Sequence, residues 1–330
     1  MPDLPYHLVD VRQYLPLYQN QRSFYFQASR GCPFSCSVCY NSVFNQNRLR
    51  KLSADIVLER LKNAVNNFQI KNVYFVDDNF FIDLDWCREI IKGLKKLNIS
   101  WQVQGVDISS LKRMDDKFID LLAESRCVRI TLGVESGSPR IRSLLGKSVS
   151  VEDIIEQIAR FNRLNIIVYC SFMAGIPTET AKDLKMTIDL ILKLIKDFPF
   201  FSNSPIYNFT PWPGTKLFDL SVEKGFIMPL KLQDWSRIGG WDQPSNLPSL
   251  EKKIPKASTL YFLSNFLDRK TNEYPVPALL KLLIRLYRPF AYFRLRHNIF
   301  SFMIEEYFAQ MIRNIWIGLK DLNPWRKIQK

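Results

Sequence analysis

The feature that most constrains this chain is a switch in hydrophobic period, from two to about three and a half and back, repeated from Leu52 to about Pro211. Period-two runs read as strands and the longer ones as amphipathic helices. SFYFQAS is a short strand ending just before Gly31 and Cys32. SADIVLERLKNAVNNF is a helix opening at Ser53, KNVYFVDD a strand, and DLDWCREIIKGLKKLN a helix capped by Asp83. The strand SWQVQGV, the helix DDKFIDLLAES and the strand CVRITLGV follow, and then a helix opened by a capping box from Ser150 to Asp153. NIIVYCSFMAG is a strand, Thr180 and Asp183 form a second capping box, and IYNFTPWPG closes the series as the last strand. Six strands separated by helices at this spacing imply βα units with parallel strands. A barrel-like α/β layer and a doubly wound open sheet both satisfy the pattern. The barrel is favoured because Cys32, Asp77, Asp78, Asp107, Glu135, Glu179 and Trp212 fall at strand carboxyl ends, which in a barrel meet at one mouth.

The organisation follows from where this alternation holds. Residues 1–22 read as an N-terminal strap, 23–225 as the α/β barrel, 226–256 as a linker or lid rich in Pro, Trp and Gly, and 257–330 as a basic, aromatic helical region. The net charge is +14, and half of it lies in the last sixth of the chain, where ten basic residues face three acidic ones. Arg and Lys there interleave with Phe, Tyr and Trp. Three readings stay open: a helical cap with a solvated basic face, a face resting peripherally on an anionic membrane, and contact with nucleic acid. No stretch approaches the ~18 apolar residues of a spanning helix and no signal peptide is evident, so a cytoplasmic location, with peripheral contact at the inner membrane face, is expected.

Six cysteines are too few for a disulfide scaffold, and three crowd into RGCPFSCSVCYN as Cys32, Cys36 and Cys39 while Cys87, Cys127 and Cys170 stand alone. The spacing C-x3-C-x2-C lets three thiolates reach adjacent corners of one small metal centre. Structural zinc normally takes four ligands, and no further Cys or His lies within the next 40 residues. Three ligands on an iron–sulfur cluster leave one iron open to a substrate or cofactor.

With these residues in view, the chain resembles the radical S-adenosylmethionine (SAM) enzymes, whose signature is C-x3-C-x-Φ-C, with Val38 at Φ. The resemblance implies a partial (β/α)6 TIM-like barrel with a mostly helical C-terminal extension. It also implies a [4Fe-4S] cluster on Cys32, Cys36 and Cys39 whose open iron is chelated by SAM. One electron, from a donor such as flavodoxin or ferredoxin, would then cleave SAM to a 5′-deoxyadenosyl radical. Phe34 and Val38 belong to the signature loop. Asp78 and Asn79 match the second-strand acidic motif that accepts the SAM ammonium, with a solvated βα turn as the plainer reading. Glu135 with Ser136 matches the fourth-strand position facing the ribose or methionyl part. Gly175, Pro177 and Glu179 match a G-x-P-x-E segment beside the adenine, and Glu179 also reads as a first-turn helix residue. The P-x-P-G-T run in FTPWPGTKLF, and the string from SRGCPFSCSVC to GVESGS, resemble the cobalamin-associated branch. That branch carries an N-terminal cobalamin domain of about 100 residues or more, and only 31 residues precede Cys32. The expectation is a barrel lacking that domain, with cobalamin available only through a separate partner chain. The leading expectation is a radical SAM enzyme acting on a small organic substrate, with a lipid or isoprenoid precursor favoured by the basic, aromatic C-terminus. Its alternatives are methyl transfer with a cobalamin-binding partner, tRNA modification, and a non-catalytic Fe–S accessory protein.

Overall fold

The computed structural model describes residues 5–19, 21–235, 238, 257–267, 278–300 and 307. β1 (Leu17–Tyr18) pairs antiparallel with β2 (Gln21–Phe26). β3 (Ser29–Arg30) leaves the sheet and pairs with β4 (Arg50–Lys51), so the cysteine loop and the short helix α1 (Asn41–Phe44) sit inside a two-stranded clasp. The chain then alternates through α2 (Ala54–Phe68), β5 (Asn72–Phe75), α3 (Leu84–Leu97) and β6 (Ser100–Val106). Next come α4 (Ile108–Lys112), α5 (Asp116–Glu124), β7 (Cys127–Glu135), α6 (Pro139–Leu144) and α7 (Val151–Arg163). β8 (Ile167–Ala174), α8 (Ala181–Asp197) and β9 (Phe201–Asn208) end the series. The strand order is β1-β2-β5-β6-β7-β8-β9, with every neighbour beyond β2 parallel. The result is a curled, open half-barrel: the six expected parallel strands, plus one short antiparallel edge strand from the strap.

The sheet's two faces follow from residue alternation. Val73 and Phe75, Val103, Ile130 and Leu132, and Val168 and Cys170 are wholly buried. They join one cluster with Leu61 of α2, Ile90 of α3, Ile158 of α7 and Ile188 of α8. Each such side chain contributes about 1.5–3 kcal/mol on burial, so the helix-covered face holds the fold together and leaves the concave face free for other chemistry. The caps place the helix starts. Asp83 accepts from Trp86 N, and both predicted capping boxes, Ser150/Asp153 and Thr180/Asp183, are closed.

The last strand departs from expectation. It begins at Phe201, whereas IYNFTPWPG predicts a start at Ile206. The small polar run SNS and Pro205 hide it from a hydrophobic pattern. Proline is tolerated because β9 lies at the sheet edge, where a missing donor breaks no ladder. After α9 (Lys216–Glu223) and α10 (Leu232–Trp235), α11 (Ala257–Asn265) covers that edge. Asn203 donates to Ser264 O, and Ile206 N donates to Ser264 Oγ. α12 (Ala278–Arg296) packs on α8 and α11. Helices α4 and α6 were not anticipated from the sequence. Most of the expected linker or lid over 226–256, residues 268–277, and 301–330 apart from Tyr307 lie outside the described residues.

Candidate active site

Cys32, Cys36 and Cys39 are free thiols, each half-buried, at the carboxyl end of the sheet. Their loop is clamped by Asp78, whose carboxylate accepts from Gly31 N at 2.6 Å and from the Tyr40 hydroxyl at 3.2 Å. One side chain thus ties both ends of the cysteine run to the end of β5. In the middle, Ser37 N donates to Leu145 O and Ser37 O accepts from Leu217 N, both at 3.1 Å. Gly31 has φ +86, and a Cβ there would stand 1.9 Å from Arg48 O, so only glycine closes this turn. Val38 packs on the small cluster of Ile141, Leu145, Ile176, Phe209 and Leu217. Asp77 does not face the loop's thiols. It is buried and accepts from Ala28 N and Ser29 N, and burial pushes its carboxyl up to about 6.

Across from the loop, Glu135 ends β7 in the left-handed region at φ +70, a costly conformation for a non-glycine residue. Its Oε1 lies 2.5 Å from where a Cβ on Gly133 would stand, so glycine at 133 makes room for the carboxylate to fold back. Ser171 Oγ lies 3.5 Å from the same oxygen. Lys147 pairs with Asp107 at 2.9 Å, and both are largely shielded from water. Burial works against the Lys147 charge, but Asp107, Cys36 and Glu135 outweigh it and hold the ammonium well above its ordinary range. Burial pushes the Cys32 and Cys36 thiols up, while Lys147 draws Cys36 back down. Burial likewise raises the Glu135 carboxyl, with Lys147 and Arg142 opposing. A cleft of about 190 Å3 runs between Phe34 and Cys36 on one side and Asp107, Arg142 and Lys147 on the other.

Arg142, within α6, and Lys147, just after it, escaped the sequence reading because a six-residue helix is too short to show a period. The available signal was Ser138 before Pro139, a cap with proline in the first turn. Arg142 is buried and donates to Val134 O at 2.7 Å and to Val149 O, which fastens the end of β7 to this turn.

The remaining predicted residues divide in two. Ser136 is fully buried, its hydroxyl 3.0 Å from Thr187 Oγ1, and so knits the loop after β7 to α8. Pro177 is buried in the turn that leads to α8. Asn79 and Glu179, by contrast, each carry a buried oxygen with no hydrogen-bond partner. Asn79 Nδ2 approaches Cys32 Sγ at 3.8 Å. Glu179 Oε2 accepts from Gly175 N at 2.6 Å while Oε1 has no partner, and burial pushes the carboxyl up to about 7. An orphaned buried oxygen is costly in a finished fold and is explained where a ligand supplies the missing donor.

The profile of the radical SAM superfamily matches residues 26–191, half of the chain. The chain belongs to the radical SAM superfamily. Among curated relatives it is 28% identical over 212 residues to an uncharacterized methyltransferase of Pyrococcus horikoshii, covering 64% of this chain and 44% of that protein. It is 27% identical over 209 residues to the cytidylyl-2-hydroxyethylphosphonate methyltransferase of Streptomyces wedmorensis, covering 61% and 38%. The chain thus spans less than half the length of these relatives. Its fold resembles the cobalamin-dependent SAM radical enzyme OxsB, at TM-score 0.60 and 18% identity over 93% of this chain and 52% of that one. It also resembles the radical SAM methyltransferase TsrM from Kitasatospora setae, at TM-score 0.56 and 18% identity over 67% and 40%.

The donor set fits the superfamily's cofactors. Among the described residues no three His, Cys, Asp or Glu side chains gather tightly enough for a single metal ion. The three thiols instead spread along one clamped loop, close enough for Cys36 and Cys39 to influence Cys32 electrostatically. Three thiols on one loop fit the ligand set that an iron–sulfur cluster with one open iron would need. The orphaned oxygens of Asn79 and Glu179 suit the amine and hydroxyl donors of SAM.

Proposed function

We propose that this chain is the catalytic barrel of a radical SAM methyltransferase that works with a corrinoid carried by a partner chain. The observation that carries the radical SAM part is the cysteine loop clamped by Asp78 and faced by Asn79, Glu135 and Lys147 at one end of a parallel half-barrel. Cys32, Cys36 and Cys39 would hold a [4Fe-4S] cluster, which, when reduced by a flavodoxin- or ferredoxin-like donor, would supply the one electron for reductive cleavage of the SAM sulfonium to methionine and a 5′-deoxyadenosyl radical. The chain's own residues do the rest. Asp78 fixes the loop, Asn79 and Glu179 offer acceptors to SAM, and Phe34 and Val38 limit solvent around the thiols. The Glu135 carboxylate, held beside Lys147, takes hydroxyl donors at the mouth.

Methyl transfer is favoured over the other outcomes because the curated relatives above are methyltransferases and the like folds are cobalamin-dependent enzymes. Among the described residues the only histidines are His7, in the strap, and His297, just past the end of α12. A lipid or isoprenoid substrate rested on C-terminal composition. Of the described part of that region, α11 covers the edge strand β9 and α12, which carries the exposed basic and aromatic residues, packs on α11 and the outer helix α8, so that composition supports a surface role instead.

Anaerobic reconstitution with iron and sulfide, then dithionite and SAM, should yield 5′-deoxyadenosine by chromatography, and Cys36→Ala should lose nearly all cluster iron and product. Full iron loading in Cys36→Ala, or loading that depends on Cys87, Cys127 or Cys170, would overturn the assignment.

A further inference from the structure

The concave face of the half-barrel is not apolar. Tyr74 lies between Val73 and Phe75, both wholly buried against the helices, so its ring stands on the opposite side of β5. The same alternation puts Tyr25, Gln102 and Gln104, Thr131, and Tyr169 and Ser171 on that side of their own strands. These groups form a connected surface. The Tyr25 and Tyr74 rings lie 5.3 Å apart, and the Tyr74 hydroxyl donates to Gln104 Oε1 at 3.2 Å. The Arg129 guanidinium lies 4.1 Å over the Tyr169 ring. At the floor, Ser23, Asn72, Ser100 and Gln102 close a hydrogen-bonded row across β2, β5 and β6. Tyr25 is 54% exposed and Gln104 is exposed, so the row of rings and amides opens to the solvent side of the sheet.

We propose that this face is the substrate site and that its substrate is a planar, hydrogen-bonding ring compound, a heteroaromatic or pyrrolic ring and not an aliphatic lipid. The inference rests on the radical SAM reading only for where the chemistry occurs. Rings offer flat partners for a planar substrate, and offset stacking sets its orientation. The exposed Gln104 amide and the Tyr25 and Tyr74 hydroxyls supply donors and acceptors at the rims of the rings. An aliphatic chain covering the same face would strip water from those groups and return no hydrogen bond, at a cost of about tenfold in affinity per group. The face is therefore selective against lipids as well as suited to rings. On β7 that side of the strand carries Thr131, Gly133 and Glu135 in turn, so a ring bound on this face lies with its reacting edge toward the carboxyl end.

Hydroxyl-radical footprinting with mass spectrometry on the full chain tests this without turnover. The probes are cytidine and indole-3-acetamide as rings, and geraniol and octanol as aliphatic compounds, at equal concentrations. The ring probes should protect the peptides carrying Tyr25 and Tyr74 and the aliphatic ones should not, and Gln104→Leu should weaken ring protection about tenfold. Equal or stronger protection by geraniol or octanol, no protection by either ring probe, or ring protection unaltered in Gln104→Leu would overturn the proposal. Binding and SAM cleavage are read separately: a chain that forms no 5′-deoxyadenosine fails the functional reading alone, and one that cleaves SAM but prefers octanol fails this one alone.

Discussion

Glu179 shows how one buried residue couples the site to stability. Its carboxyl sits among backbone donors at the turn before α8, with one oxygen satisfied by Gly175 N and the other by nothing. Burial raises its pKa in the folded chain to about 7, above the ordinary 4.5. Between those values the folded state holds more protons than the unfolded one, so stability falls as pH rises from 4.5 through 7. The full span is worth on the order of 3 kcal/mol. Asp77, raised from 3.8 to about 6, adds a slope of the same sign over a lower window. Glu179→Gln keeps an oxygen for Gly175 and removes the charge. It should flatten the decline in melting temperature between pH 5 and pH 8 without abolishing it, since Asp77 remains, and be at least as stable as the parent at pH 8. A melting-temperature profile that overlays the parent's across that range would show that Glu179 is not titrating there.

At the scale of elements, the βα series was readable because most of the predicted helices start at a side-chain cap and the central strands carry apolar residues in alternation. Ser150, Thr180 and Asp83 cap where their types predict. The elements that escaped are those whose stability comes from neighbours. α6 has six residues and depends on Arg142 reaching the Val134 and Val149 carbonyls, and β9 leans on Ser264 of a helix some 60 residues away. Tertiary bonds of that kind leave no period in the sequence. The cysteines were legible from spacing, and Glu135 and Glu179 from their strand ends. The clamp that Asp78 makes was not, because a hydrogen bond between a strand end and a loop 47 residues earlier has no local signature. The β3–β4 clasp makes a sharp test of that clamp. Gly31→Ala must move the Arg48 carbonyl and holds alanine at φ +86, which costs roughly 2–4 kcal/mol. Because the strain falls at the first cysteine, iron loading should drop along with the melting temperature, and full loading at a lowered melting temperature would show that the loop tolerates a shifted clasp.

For the whole molecule, charge and exposed apolar surface coincide on one outer helix. In α12 Leu282, Leu286, Phe290 and Phe293 recur at helical spacing and are each about half or more exposed, while Ala291 and Leu295 are buried against the body. An amphipathic helix ordinarily turns such a stripe inward. Arg285 and Arg296 are exposed along one flank of it. An apolar stripe edged by cations is the composition of a helix lying in a lipid headgroup layer. Among the described residues no helix is long and apolar enough to cross a membrane. Each Lys or Arg near an anionic surface contributes about 1 kcal/mol, and this falls as salt shortens the Debye length. Two exposed arginines and the stripe are therefore expected to give at most weak, reversible binding, aided by the net charge of +14. In flotation assays the chain should rise with vesicles containing phosphatidylserine at low salt and stay behind with neutral vesicles or at high salt. Leu286→Glu with Phe290→Glu should abolish flotation, while Arg285→Gln with Arg296→Gln should reduce it and flatten its salt dependence. Equal flotation with neutral and anionic vesicles would mean that the stripe alone, without its arginines, sets the affinity.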